Sequence, residues 1–119
     1  MYEKNEKKPI FLKSIISYFP SELIASATTT LMMSIKDHYT DVDDKLLLIK
    51  EMGIALLRKP PKKNQSKLDF LNFGWECMNQ SKNPESYMDC AIVLVEFAIK
   101  NLNSNSVNLF IKEIFTKFQ

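Results

Sequence analysis

The sequence predicts an all-α fold built from antiparallel helical hairpins, and three observations predict it. Only two of its 119 residues are glycine. Sheet proteins place glycine in hairpin turns and bulges, and nucleotide-binding loops need it for close phosphate approach, so both classes lose ground together. Five prolines and clusters of Ser, Asn and Asp cut the chain into segments of helical length. Within those segments apolar residues recur every three or four positions, the spacing of one helix face.

The segments follow in order. Residues 1–8 form a polar tail, and residues 9–119 a single α-helical repeat domain. Pro9 opens a helix over 10–19, with Ile10, Phe11, Ser14, Ile15, Tyr18 and Phe19 at helical spacing. Pro20 closes it, because a residue before proline is pushed out of the helical region. Ser21 caps a second helix running from Glu22 to about His38, with Leu23, Ala27, Leu31 and Ile35 on the inward face. Thr28, Thr29 and Thr30 weaken it, since β-branched side chains lose rotamer freedom in a helix.

Thr40-Asp41-Val42-Asp43 has the form of a capping box and starts a third helix, from about Asp41 to Arg58. Arg58 and Lys59 suit the negative end of its dipole, and Pro60-Pro61 stops it. Ser66-Lys67-Leu68-Asp69 repeats the capping form and starts a fourth helix, to about Gln80. Asn83-Pro84-Glu85 is a stronger start: a capping amide, proline at the first helical position, then an acid. The fifth helix, about 84–102, is apolar on nearly all sides between Cys90 and Ile99, which predicts burial on several sides. The run Cys90–Val95 reads as helix rather than strand because its pattern extends past strand length in both directions. After the loop Asn103-Ser104-Asn105-Ser106, a sixth helix carries Val107, Phe110, Ile111, Ile114, Phe115 and Phe118.

Six helices joined by short loops pair as three hairpins, a plan shared by closed bundles and by solenoids of HEAT or armadillo type. The last helix favours the stacked solenoid. Phe110, Ile111, Phe115 and Phe118 need cover, and a segment of a solenoid leaves such an end uncovered. The core is expected at Leu46, Ile49, Leu56, Trp75, Leu94 and Phe97, with Phe70 and Phe73 beside Trp75.

Little in the chain reads as chemistry. Hydrophobic residues make up 45% and charged ones 25%, a globular balance, and a net charge of +2 is too small to argue for nucleic acid by itself. Cys77 and Cys90 read as two reduced, buried thiols, without a CxxC pair or the four ligands a structural zinc site needs. The lone His38 lies in the acidic run Asp37–Asp44. A calcium loop counted from Asp41 would need glycine at its sixth place and glutamate at its twelfth, where Leu46 and Met52 stand. Those acids read as helix caps, and no metal, cofactor or enzymatic activity is expected. The longest apolar run is far short of a membrane span. The sharpest charged feature is the basic stretch Arg58-Lys59-Pro60-Pro61-Lys62-Lys63, a candidate contact for phosphate or for a partner.

The spaced set Phe70-Leu71-Asn72-Phe73-Gly74-Trp75, Lys82–Ala91, Val95-Glu96-Phe97, Val107-Asn108 and Ile114 resembles a central piece of the large α-solenoid subunit of the retriever complex. That subunit is the paralogue of retromer's large subunit. Ile15-Ile16-Ser17-Tyr18, Pro20-Ser21-Glu22-Leu23 and the pair Pro60-Pro61 are similar to it as well. Between about Ala25 and Leu31 the chain lacks a stretch that the family carries. The resemblance implies a non-enzymatic scaffold working in the cytoplasm at the periphery of endosomes, in cargo retrieval and recycling to the plasma membrane. It also implies partners: an arrestin-like subunit, a phosphoesterase-fold subunit and a COMMD-containing complex. The contrasting expectation is a free-standing helical domain that binds nucleic acid or anionic lipid through Arg58, Lys59, Lys62 and Lys63.

Overall fold

The computed structural model describes residues 13–117, with the side chain of Lys117 left out, and all its regular elements are helices. Residues 13–18 form the described part of α1. Six helices follow: α2 (Ser21–Ser26), α3 (Thr28–His38), α4 (Val42–Arg58), α5 (Asn64–Gln80), α6 (Pro84–Asn101) and α7 (Ser104–Lys117). The polar tail, with Ile10, Phe11 and Phe118, lies outside the described residues.

Helices two apart in the chain pack together. The α4–α6 contact is the most extensive, α2 also packs on α4, and α3 packs on α5. Each of α4, α5 and α6 also packs on its successor. The result is a slab of two layers, α2, α4 and α6 in one and α3, α5 and α7 in the other. Its thinnest dimension, 19 Å, accommodates two helices at ordinary interaxial distances of about 8–10 Å. This is the stacked arrangement expected of a solenoid segment.

The expected core is largely the observed one. Leu46, Ile49, Leu56, Phe70, Leu94 and Phe97 are fully buried, while Phe73 and Trp75 are half-buried against them. Phe70 meets Phe97 edge to face at 5.3 Å, and Trp75 meets Phe110 of α7 at 5.4 Å, which links the last helix to α5. Both glycines sit mid-helix where neighbouring helices approach closely. A Cβ on Gly53 would run into Val93, and one on Gly74 would lie 2.6 Å from Leu94 Cδ1.

Several expectations are corrected. The single helix over 22–38 is two, because the chain bends at Ala27 (φ −100, ψ 15). The Thr28 hydroxyl donates to the carbonyls of Ile24 (3.1 Å) and Ala25 (2.9 Å), which in a straight helix serve the backbone N–H groups of 28 and 29. The inward stripe is Ile24, Thr28, Met32 and Ile35, and Leu23, expected on the inward face, is 50% exposed. In the described part of α1 the buried residue is Ile16, whereas Tyr18, and Phe19 just after the helix, face outward.

Three caps also differ. Pro20, not Ser21, precedes α2, with no side-chain cap. Asp41, not Thr40, caps α4, its Oδ1 accepting from the N–H of Asp43 at 2.8 Å and of Asp44 at 3.3 Å. The fourth expected helix begins earlier than Ser66, at Asn64, with Lys63 in the cap position. The cap at Asn83 is as expected: its Oδ1 accepts from Glu85 N–H at 3.0 Å and Ser86 N–H at 3.3 Å. Helix α6 is not covered all round. Met88, Ile92 and Ile99 form an exposed stripe at helical spacing, with Ile92 60% exposed. On α7, Phe110 is buried but Phe115 is 66% exposed.

Candidate functional site

The basic stretch leaves the end of α4 and enters α5. Arg58 is the last residue of α4, Lys59 its C-cap and Lys63 the residue before α5. Pro61 is buried and Pro60 half-buried, so the loop is pinned at its centre while Lys59, Lys62 and Lys63 stay exposed. Proline fixes φ, so the lysines on either side are carried by a stiff hinge.

Those three lysines line one wall of a cleft of about 460 Å³. The rest of its lining comes from α2 and α3, through Glu22, Ala25, Ser26 and Thr29, from Pro60 and Pro61, and from Ser66 of α5. Of the four basic residues singled out in the sequence, the structure thus gathers three. Arg58 is not part of the lining. Sequence reasoning missed Glu22, Ser26 and Thr29, which lie thirty or more positions before the lysines. The signal available was the threonine run, which marks the bend that brings α2 and α3 against the loop. Ser26 Oγ is already engaged, donating to the Glu22 carbonyl at 3.0 Å. Among the described residues, none of the three cleft lysines makes an ion pair.

Elsewhere the titratable groups read as structure. Cys77 and Cys90 are buried, free thiols. Burial pushes Cys90 up to about 12, with Cys77 adding to the rise, and burial also raises Cys77. A thiolate is the nucleophile, so thiols held protonated are poorly suited to attack. His38 ends α3, facing solvent. Asp44, raised first by partial burial and then by Asp41 and Asp43, sits in the first turn of α4. Among the described residues there is no group of three or more His, Cys, Asp or Glu arranged to hold a metal ion. No helix among them is long and apolar enough to cross a membrane.

The whole chain, residues 1–119, matches the family model described as the VPS35L C-terminal domain. Among curated proteins, it is 31% identical over 106 residues to a human protein named VPS35 endosomal protein-sorting factor-like, covering 88% of this chain and 11% of that protein. A Dictyostelium discoideum protein of similar name is 32% identical over 111 residues, covering 93% of this chain and 11% of that one. The Drosophila melanogaster counterpart is 26% identical over 106 residues, again 11% of its length. The chain thus spans about a tenth of the length of the relatives it matches. No solved structure matches it at a significant level. The family model narrows the resemblance from a central piece of a solenoid subunit to its C-terminal domain. The chain belongs to the VPS35L C-terminal domain family.

Proposed function

We propose that this chain is a scaffold segment for protein-complex assembly in endosomal cargo retrieval, without catalytic activity of its own. The observation that carries the reading is the two-layer stack of α2, α4 and α6 on α3, α5 and α7 in a chain of this family. Stacked helices bury one face in the slab and hold ridges and loops rigidly on the others, which is what a docking scaffold requires. The relatives are named as endosomal protein-sorting factors, which supports endosomal sorting as the process.

The finer reading is that the segment works with an arrestin-like subunit, a phosphoesterase-fold subunit and a COMMD-containing complex, in the cytoplasm at the endosome surface, and returns cargo to the plasma membrane. Affinity purification of the tagged protein from its own cells tests this. Recovery of the two other retriever-type subunits is the expected outcome. A preparation dominated by ribosomal or RNA-processing proteins would overturn it in favour of nucleic-acid binding.

A further inference from the structure

We propose that the cleft between the Pro60-Pro61 loop and the α2–α3 bend is a binding site for a compact, multiply phosphorylated ligand, such as an inositol phosphate headgroup, free or lipid-borne. The cleft's volume, about 460 Å³, lies within the range of small-molecule sites. Three lysines, Lys59, Lys62 and Lys63, and one acid, Glu22, are the charged residues of its lining. Lysine is a compact point charge that suits phosphate, and the lining contains no arginine for planar, bidentate recognition of a carboxylate. The hydroxyl-bearing side chains Ser26, Thr29 and Ser66 surround the same space and supply neutral polar contacts.

Two features favour a compact ligand over a nucleic acid strand. The lining has no aromatic side chain on which a base could stack. Three lysines also line a single cleft of a chain whose net charge is only +2, too little for a strip that follows a long phosphate backbone. The start of α5 contributes in the same direction. Lys63 and Ser66 belong to the lining, and the first turn of α5 holds neither a side-chain cap nor an acid, unlike that of α4 or α6. The positive end of that helix dipole therefore adds to the lysines.

Glu22 makes the proposal sharp, because a carboxylate inside an anion site repels the ligand. Removing its charge should strengthen binding, whereas a diffuse basic surface would barely register the change.

The test is calorimetric titration of the whole chain with inositol hexakisphosphate at physiological salt, beside flotation with phosphatidylcholine vesicles with and without phosphatidylinositol phosphates. One saturable site is expected, weakened about tenfold or more in Lys59→Ala/Lys62→Ala/Lys63→Ala. Arg58→Ala should leave it within about twofold, since exposed charges outside the cleft are screened. Glu22→Gln should bind about twofold to fivefold tighter. Thr29→Glu leaves the loop intact and adds an acid where α3 begins, a position that favours helix; it should abolish binding and guards against a triple variant that fails to fold. Binding in the calorimeter alone assigns a soluble source, and flotation assigns a lipid one. The proposal is overturned if neither probe binds, if Arg58→Ala weakens binding as much as the triple lysine variant does, or if Glu22→Gln and Thr29→Glu have no effect. Displacement by single-stranded RNA at equal phosphate concentration, with all four basic residues contributing alike, would overturn it in favour of a nucleic-acid surface.

Discussion

Gly53 and Gly74 are the only glycines in the chain, and both occupy helix interiors, where alanine is ordinarily better by about 1 kcal/mol. Their presence is explained by what lies opposite. A Cβ at Gly53 would meet Cγ1 of Val93, whose β-branched side chain has little freedom to turn away. A Cβ at Gly74 would meet the far end of Leu94, which can shift. Overpacking a core costs about 1–3 kcal/mol, so Gly53→Ala should lower stability by about 1–2 kcal/mol despite the gain in helix propensity. Gly74→Ala should change it by less than about 1 kcal/mol. Urea melts followed by circular dichroism compare the two, and equal losses would reject this assignment.

Cys90 supplies a second prediction at the same scale. Its folded thiol is raised to about 12, so between pH 9 and 12 the unfolded chain has released this proton while the folded chain keeps it. The folded state then binds more protons, and the contribution present below about pH 9 is lost as pH rises, at up to about 1.4 kcal/mol per pH unit. Cys77, Tyr39 and Tyr87 are raised by burial as well and steepen the same limb. Thermal melts across this range should show falling stability, with a shallower fall in Cys90→Ala. Alkylation of Cys90 at neutral pH should track unfolding.

At the scale of elements, local signals settle where helices are, and less well where they start. Asn83-Pro84-Glu85 could be read directly because cap, proline and acid are all contiguous. Asn83→Ala should cost about 1 kcal/mol, and Asp41→Ala a similar amount, each measured as a shift in the urea midpoint at unchanged slope. Cap identity at Asp41 was legible only to within one residue, since Thr40 and Asp41 are both good caps and the backbone chose the one whose Oδ1 reached two N–H groups. The bend at Ala27 was hinted at by the threonine run but not located by it. Propensity lowers helix stability over several residues, whereas the hydrogen bonds of Thr28 to Ile24 and Ala25 place the break at one point. On both sides of that break the buried stripe follows Ile24, Thr28, Met32 and Ile35 instead of Leu23, Ala27 and Leu31.

For the molecule as a whole, the two-layer stack separates buried apolar residues from exposed ones that look alike in sequence. Phe97 is buried between layers and Ile92, five positions away, is mostly outside. Phe97→Ala should cost about 3–5 kcal/mol, while Ile92→Lys with Ile99→Lys should change stability by about 0.5 kcal/mol per site or less. Similar losses in chemical denaturation would mean that the outer stripe of α6 is packed after all. The surface ion pair Lys100–Glu96, at 3.1 Å and one turn apart, contributes only about 0.3–0.5 kcal/mol and does not alter this ranking.

By itself the sequence determined that the chain is helical, roughly where its helices lie, which side chains dominate the core, and that one basic loop interrupts it. These properties come from neighbours within a few residues: proline geometry, capping groups and the period of apolar positions. Only the tertiary structure decided that Arg58 lies outside the cleft that Lys59, Lys62 and Lys63 line, that Glu22 and Thr29 share that lining, and that Ile92 and Phe115 remain uncovered. The physical reason is that a helix offers several apolar stripes of comparable width. Which one is buried, and which loop meets which bend, depends on the layers it packs against, whose residues are distant in the chain.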